Sequence, residues 1–142
     1  MPPDARIISM LKLIGFLRWL PAVATMVVIF MLSSLQSSQV PNFGLLDSLV
    51  KHGGHFLGYA LLGATYSYAL PRRFSAIAKG VLAIILALLY ALSDEFHQSF
   101  VPGRNPSWFD IFVDLLGAST AAFLMARYSP NSNSKPASSS ES

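Results

Sequence analysis

The sequence predicts an all-α integral membrane protein, a four-helix bundle with both termini on the cytoplasmic side. Three observations predict it. Apolar residues make up 53% of the 142-residue chain and charged residues only 12%, against a soluble average of about 25% charged. Four apolar runs approach the roughly 20 residues that a hydrocarbon core about 30 Å thick requires of a helix. The Lys and Arg residues fall almost entirely on one side of those runs, where cytoplasmic ends retain them.

The first run covers residues 19–35. A weaker stretch precedes it, with Lys12 and Arg18 among Ile8, Leu11, Leu13 and Phe16, and residues 1–18 are read as a cytoplasmic or interfacial segment. The apolar run exceeds the core of a signal peptide, and Leu32-Ser33-Ser34-Leu35-Gln36 offers no small-x-small cleavage site, so an uncleaved first helix is expected. Ser33, Ser34, Ser37 and Ser38 read as a helix-to-loop transition. The second helix is placed at 55–70, the third at 75–92 and the fourth at 109–128, with Pro71 and Pro106 as punctuation. Residues 19–128 therefore form one transmembrane domain. From 129 to 142 the chain turns to Ser, Asn, Pro, Ala and Lys, which bury too little apolar surface to offset ordering, so a disordered Ser-rich tail is expected.

Orientation follows from charge. Arg6, Lys12, Arg18, Arg72, Arg73, Lys79, Arg127 and Lys135 flank one side of the helices; only Lys51 and Arg104 fall on the other. Scattered in this way, a net charge of +3 forms no basic stripe, which excludes nucleic acid as a partner. The chain has no cysteine, which excludes disulfides, thiolate metal sites and a cysteine nucleophile.

The polar residues gather at the end opposite the cytoplasmic charges. His55 and Tyr59 lie one turn apart on one face of the second helix, and Asp94, Glu95, His97 and Gln98 close the third. Arg104 sits in the turn Val101-Pro102-Gly103-Arg104-Asn105-Pro106-Ser107, where Asn105 or Ser107 is positioned to cap the fourth helix. Asp110 and Asp114 follow four apart on one face of that helix. Ionisable groups at membrane depth face the bundle interior or a watery cavity. Asp114, a turn deeper than Asp110, needs a partner such as Arg104, His55 or His97. Gly54, Gly58, Gly63, Gly117 and Ala118 permit close helix packing.

Three segments carry a further pattern: His55-Phe56-x-x-Tyr59-x-Leu61-Leu62-Gly63, then Ser93-Asp94-Glu95-Phe96-His97-Gln98-Ser99-Phe100-Val101-Pro102-Gly103-Arg104, then Asp110-x-x-x-Asp114-x-x-Gly117. Together they resemble the VanZ-like family over residues 20 to 127. Where that family usually has a lysine this chain has His52, with Lys51 beside it, and Asp114 stands where Asn is frequent. The resemblance implies a bacterial plasma-membrane protein linked to tolerance of glycopeptides such as teicoplanin. Some members carry a phosphotransbutyrylase label, but no glycine-rich phosphate loop is present here to support it.

Three readings of the cluster stand beside one another. In the first, it binds or acts on an anionic envelope lipid or its headgroup at the outer face. Arg104 grips phosphate or carboxylate, His55 or His97 serves as acid or base, and Asp94 or Glu95 orients the imidazole; Tyr59, Gln98, Asp110 and Asp114 complete the binding set. In the second, His55, Asp94, Glu95, His97 and Asp110 supply nitrogen and oxygen donors to zinc or another divalent ion, although no His-Glu-x-x-His signature is present. In the third, the charges only pack the helices, and the protein serves a membrane partner. Four helices are few for a carrier, so a transport role would call on a homo-oligomer or another membrane protein.

Overall fold

A computed structural model describes residues 5–39 and 44–128. The tail expected from residue 129 onward lies outside them. Among the described residues the chain is all helical, with five α-helices and two short 3-10 turns: α1 (Ala5–Leu17), α2 (Leu20–Ser33), α3 (Asp47–Ala69), α4 (Ala76–Gln98) and α5 (Trp108–Arg127).

Local chemistry sets the boundaries. Helices α1 and α2 follow one another with only a turn at Arg18–Trp19 between them, and Pro21 sits in the first turn of α2, where its missing N–H costs nothing. Helix α3 stops because Pro71 forces its neighbour Leu70 into an extended conformation, ψ 141°. Ser75 caps α4 by accepting the Ala78 N–H at 3.1 Å. After α4 the chain turns through Gly103, whose φ of 76° is a value that favours glycine.

One boundary differs from expectation. The second predicted helix begins at Asp47, eight residues before His55, so Lys51 and His52 lie on a helix and not in a loop. Gly53-Gly54 reads as a break in sequence, yet an N-terminal Asp47 and the partners that Lys51 and His52 find on α5 hold the extra two turns.

Burial is inverted relative to a protein folded in water. Asp94, Glu95, Gln98, Asp110 and Asp114 are buried, while Ile77, Val81, Ile85, Leu89 and Phe96 run exposed down the outer face of α4. The inner face of that helix is the alanine stripe Ala83, Ala87 and Ala91, each without exposed surface. Large apolar groups outward and small or polar groups inward is the arrangement a lipid solvent selects. Three stretches, Lys12–Ser33, Ala76–Gln98 and Trp108–Arg127, are long and apolar enough to cross a membrane. Helix α3 has the length, 23 residues, but its glycines, histidines and tyrosines lower its hydropathy. It is the central helix, packed against α5 most closely and also touching α2 and α4.

The α3–α5 seam is a backbone contact. A Cβ built on Gly63 would lie 2.7 Å from the Ala118 carbonyl oxygen, and one on Gly117 would run into the Phe56 carbonyl. Gly58 and Gly54 behave differently: among the described residues a Cβ on Gly58 would meet Ile29, at 3.7 Å, and one on Gly54 would meet nothing within 4 Å.

Candidate functional site

Three buried carboxylates at one end of the bundle each receive a separate partner. Asp114 of α5 meets His55 of α3, Nδ1 to Oδ1 at 2.9 Å. Asp110, one turn earlier, receives Lys51 Nζ at 2.7 Å and His52 Nε2 at 3.3 Å, with the His52 ring edge-on to Phe109. Asp94 of α4 accepts from Ser33 Oγ at 2.6 Å and from Gln98 Nε2 at 2.9 Å. A buried carboxylate without such partners is costly, so the pairs clamp α3 to α5 and α2 to α4 at this level.

Glu95 does something different. Its Oε2 accepts the Ser107 backbone N–H at 2.6 Å, which places a carboxylate at the start of α5, where the N-terminal helix dipole favours negative charge. Asn105 or Ser107 was the cap expected from sequence; Ser107 makes no side-chain cap bond, and Glu95 reaches across from α4 instead. The other Glu95 oxygen is buried and has no partner among the described residues.

Helix α2 is joined to this end by four bonds. Besides Ser33–Asp94, Ser34 Oγ lies 3.0 Å from His97 Nε2, and Phe30 stacks on that ring at 4.6 Å. Arg104 donates from Nε to the Leu35 carbonyl at 3.0 Å and from Nη2 to the Leu32 carbonyl at 3.1 Å. Leu32 lies in the last turn of α2 and Leu35 just beyond its end, where a cation suits the helix dipole. At the opposite end Arg18 bonds the carbonyls of Tyr68 and Leu70, and midway Tyr90 Oη donates to the Met26 carbonyl at 2.6 Å.

Helices α2 and α3 touch where Gly58 meets Ile29 and where Tyr66 Oη donates to Met26 Sδ at 3.2 Å, and toward the polar end a space remains beside them. The space is a cavity of about 770 Å³, within the range of about 300–1,000 Å³ typical of ligand clefts. Its wall is apolar at Val28, Ile29, Leu32 and Leu61, with Thr25 and Ser33 among them, and carries Asp47, Lys51, His55, Tyr59, Asp94, Gln98, Arg104 and Asn105. The Tyr59 hydroxyl is buried without a partner among the described residues.

Of the residues singled out from sequence, His55, Tyr59, Asp94, Gln98 and Arg104 share this cavity, with Asp114 behind His55. Asp110 lies behind Lys51. Glu95 and His97 belong to the same end but make other contacts. Neither Asp94 nor Glu95 holds an imidazole; Asp114 and Ser34 do that. Among the described residues no three His, Asp or Glu side chains converge on a point where a metal ion would sit. Sequence reasoning read Ser33 and Ser34 as a helix-to-loop transition and left Lys51 and His52 out of the site. Ser33 and Ser34 lie at the level of the polar ends of α3 and α4, and that coincidence of depth was the available signal.

The VanZ/LLP1 family model matches residues 7–128, which includes all of these side chains. No curated protein and no solved structure matches the chain.

Proposed function

The chain belongs to the VanZ/LLP1 family, and from that premise we propose that it is a four-pass protein of the bacterial plasma membrane that binds an anionic amphiphile in the α2–α3 cleft. Both termini are cytoplasmic and the polar end faces outward, so the headgroup comes from the outer leaflet. A single observation supports this reading: one cleft joins the apolar Val28, Ile29, Leu32 and Leu61 to the cations Lys51 and Arg104, the two-part chemistry of a lipid. Arg104 has five N–H donors and uses two on α2, while Lys51 has three and uses one on Asp110. Donors therefore remain for an anionic oxygen; of the two carboxylates in the same wall, Asp94 is already held by Ser33 and Gln98, and Asp47 sits at the start of α3 one turn before Lys51.

The test is lipid retention by the full chain purified in detergent. Phosphatidylglycerol should remain bound through native mass spectrometry where phosphatidylcholine does not, and Gly58→Trp, which fills the cleft, should remove it. Equal retention of both lipids would end the proposal. Because the chain has no cysteine, the orientation is open to single-cysteine labelling. An impermeant maleimide added to intact cells should reach Asn105→Cys and miss Arg73→Cys. In a sensitive host, expression is expected to raise teicoplanin tolerance, and the same cleft-filling variant should abolish the increase.

A further inference from the structure

We infer that a pocket at the other end of the bundle from the cleft's polar residues holds the phosphomonoester of an anionic lipid between the guanidiniums of Arg18 and Arg72. This site is separate from the cleft proposed above. Its lipid belongs to the other leaflet, the inner one in the orientation given there.

Two turns of the chain build the pocket. Arg18 stands between α1 and α2, where its own backbone N–H bonds the Ile14 carbonyl at 3.3 Å and the Trp19 N–H bonds that of Phe16 at 3.0 Å. Arg72 stands between α3 and α4, in a turn closed by the Phe74 N–H on the Pro71 carbonyl at 3.2 Å. Arg18 ties the first turn to the end of α3. Its Nη2 donates to the carbonyls of Tyr68 and Leu70, and its guanidinium lies over the Tyr68 ring, 5.2 Å from the centroid. Beside it is a pocket of about 310 Å³ lined by Ile14, Gly15, Arg18, Tyr68 and Arg72.

The charge in this pocket is unbalanced. Arg18 uses the two hydrogens of Nη2 and keeps three further N–H donors, and Arg72 has no hydrogen bond or ion pair among the described residues. The acids of the described residues, Asp47, Asp94, Glu95, Asp110 and Asp114, all lie at the far end of the helices. Arg73, Lys79 and Arg127 add positive charge at the near end. An excess of Lys and Arg orients a membrane protein wherever on that side the residues stand. Orientation therefore does not require two arginines from separate turns to line one pocket. Like charges so placed repel, and an anion between them turns the repulsion into attraction.

Charge and wall together define that anion. The guanidinium fork matches phosphate oxygens, and two forks with no acid beside them suit a group with more than one negative charge. A phosphomonoester carries about −1.5 to −2 at pH 7, more than the single charge of a phosphodiester. Ile14 and Tyr68, 53% and 51% exposed, form the pocket's apolar side, and α1 continues past it with Met10, Leu13 and Leu17 exposed as well. Acyl chains cover such a surface, which assigns the phosphate to a lipid of the phosphatidate type; basic pockets between membrane helices take lipid headgroups in this way.

The experiment loads the full chain in detergent with phosphatidate or phosphatidylglycerol of identical acyl chains and measures retention by native mass spectrometry. In Gly58→Trp, whose cleft is filled, phosphatidate should bind about tenfold more tightly than phosphatidylglycerol. Arg72→Gln should lower phosphatidate binding about tenfold to a hundredfold, the range for hydrogen bonds to a charged group. Gly15→Leu should lower it too, since a Cβ at Gly15 meets nothing within 4 Å and the larger side chain fills the pocket with both arginines kept. Inorganic phosphate at equal concentration should not displace the lipid, because it lacks the apolar part.

Equal retention of the two lipids in Gly58→Trp overturns the phosphomonoester assignment. Phosphatidate binding unchanged in folded Arg72→Gln or Gly15→Leu overturns the site, and displacement by inorganic phosphate overturns the lipid. If Gly58→Trp does not fold, the comparison moves to the wild-type background. There Arg72→Gln should lower phosphatidate binding and leave that of phosphatidylglycerol as it was; an equal fall for both lipids, or for neither, overturns the inference. The cleft reading is decided separately, by retention of phosphatidylglycerol over phosphatidylcholine.

Discussion

Toward α5, helix α3 presents Gly63 and the backbone at Phe56, and the two helices approach until a side-chain carbon has no room. Toward α2 it presents Gly54 and Gly58, and a cavity of about 770 Å³ opens beside them. One helix therefore has a closed face and an open one. On the closed face glycine removes bulk so that helices can touch, which supplies packing energy where lipid tails provide no hydrophobic drive. On the open face the same residue type keeps space free. Glycine content alone does not distinguish the two uses; the neighbour's distance does.

The largest effect expected at this contrast is at its polar clamp. His55→Leu leaves Asp114 buried without its partner and should cost about 3–5 kcal/mol, read as loss of folded, monodisperse protein in fluorescence-detected size-exclusion. Replacing both members, His55→Leu with Asp114→Leu, should recover most of the yield. A double variant as poor as the single one would show that the pair does more than satisfy each other's charge. Next comes the seam, where Gly63→Ala forces α3 and α5 apart and should cost about 1–3 kcal/mol by thermal unfolding in detergent.

The same substitution on the open face should have the opposite sign. Gly54→Ala meets nothing within 4 Å and lowers the entropy cost of the helix, so a stabilisation of about 0.5–1 kcal/mol is expected, together with reduced lipid retention as the cleft narrows. Destabilisation at Gly54 would mean that α2 closes over it. Smallest is Ser34→Ala, which removes the contact with His97 and should cost no more than about 1 kcal/mol in the same unfolding measurement.

Much of this contrast is written in residue order. Apolar runs of membrane length, the one-sided Lys and Arg distribution and the depth of the polar residues led to a helical bundle with its ionisable groups at one end. Asp114 was legible as a residue in need of a partner, and His55 was among the three candidates. The specific pairing was not legible, because it depends on the closeness of α3 and α5. That closeness requires Gly63 and Gly117 to face Ala118 and Phe56 across the seam, a match between helices that spacing within either one does not encode.

The early start of α3 was hidden for a related reason. Lys51 and His52 resemble loop residues until Asp110 is placed opposite them. Glu95 was legible as a buried acid but not as the group that caps α5, since the turn between them offers nearer candidates in Asn105 and Ser107. The cleft itself had no sequence signal, because the space between two helices belongs to neither.

Photo-crosslinking with a phosphatidylglycerol analogue that carries a diazirine in its acyl chain tests the central claim most directly. The account predicts adducts concentrated at Val28, Ile29, Leu32 and Leu61 in the cleft, above those at Phe112, Leu116 and Phe123 on the outer face of α5, and lost when unlabelled phosphatidylglycerol is added. Labelling at the α5 residues as strong as in the cleft, and equally insensitive to competitor, would mean that the lipid only bathes the protein and that the α2–α3 cleft is not its binding site.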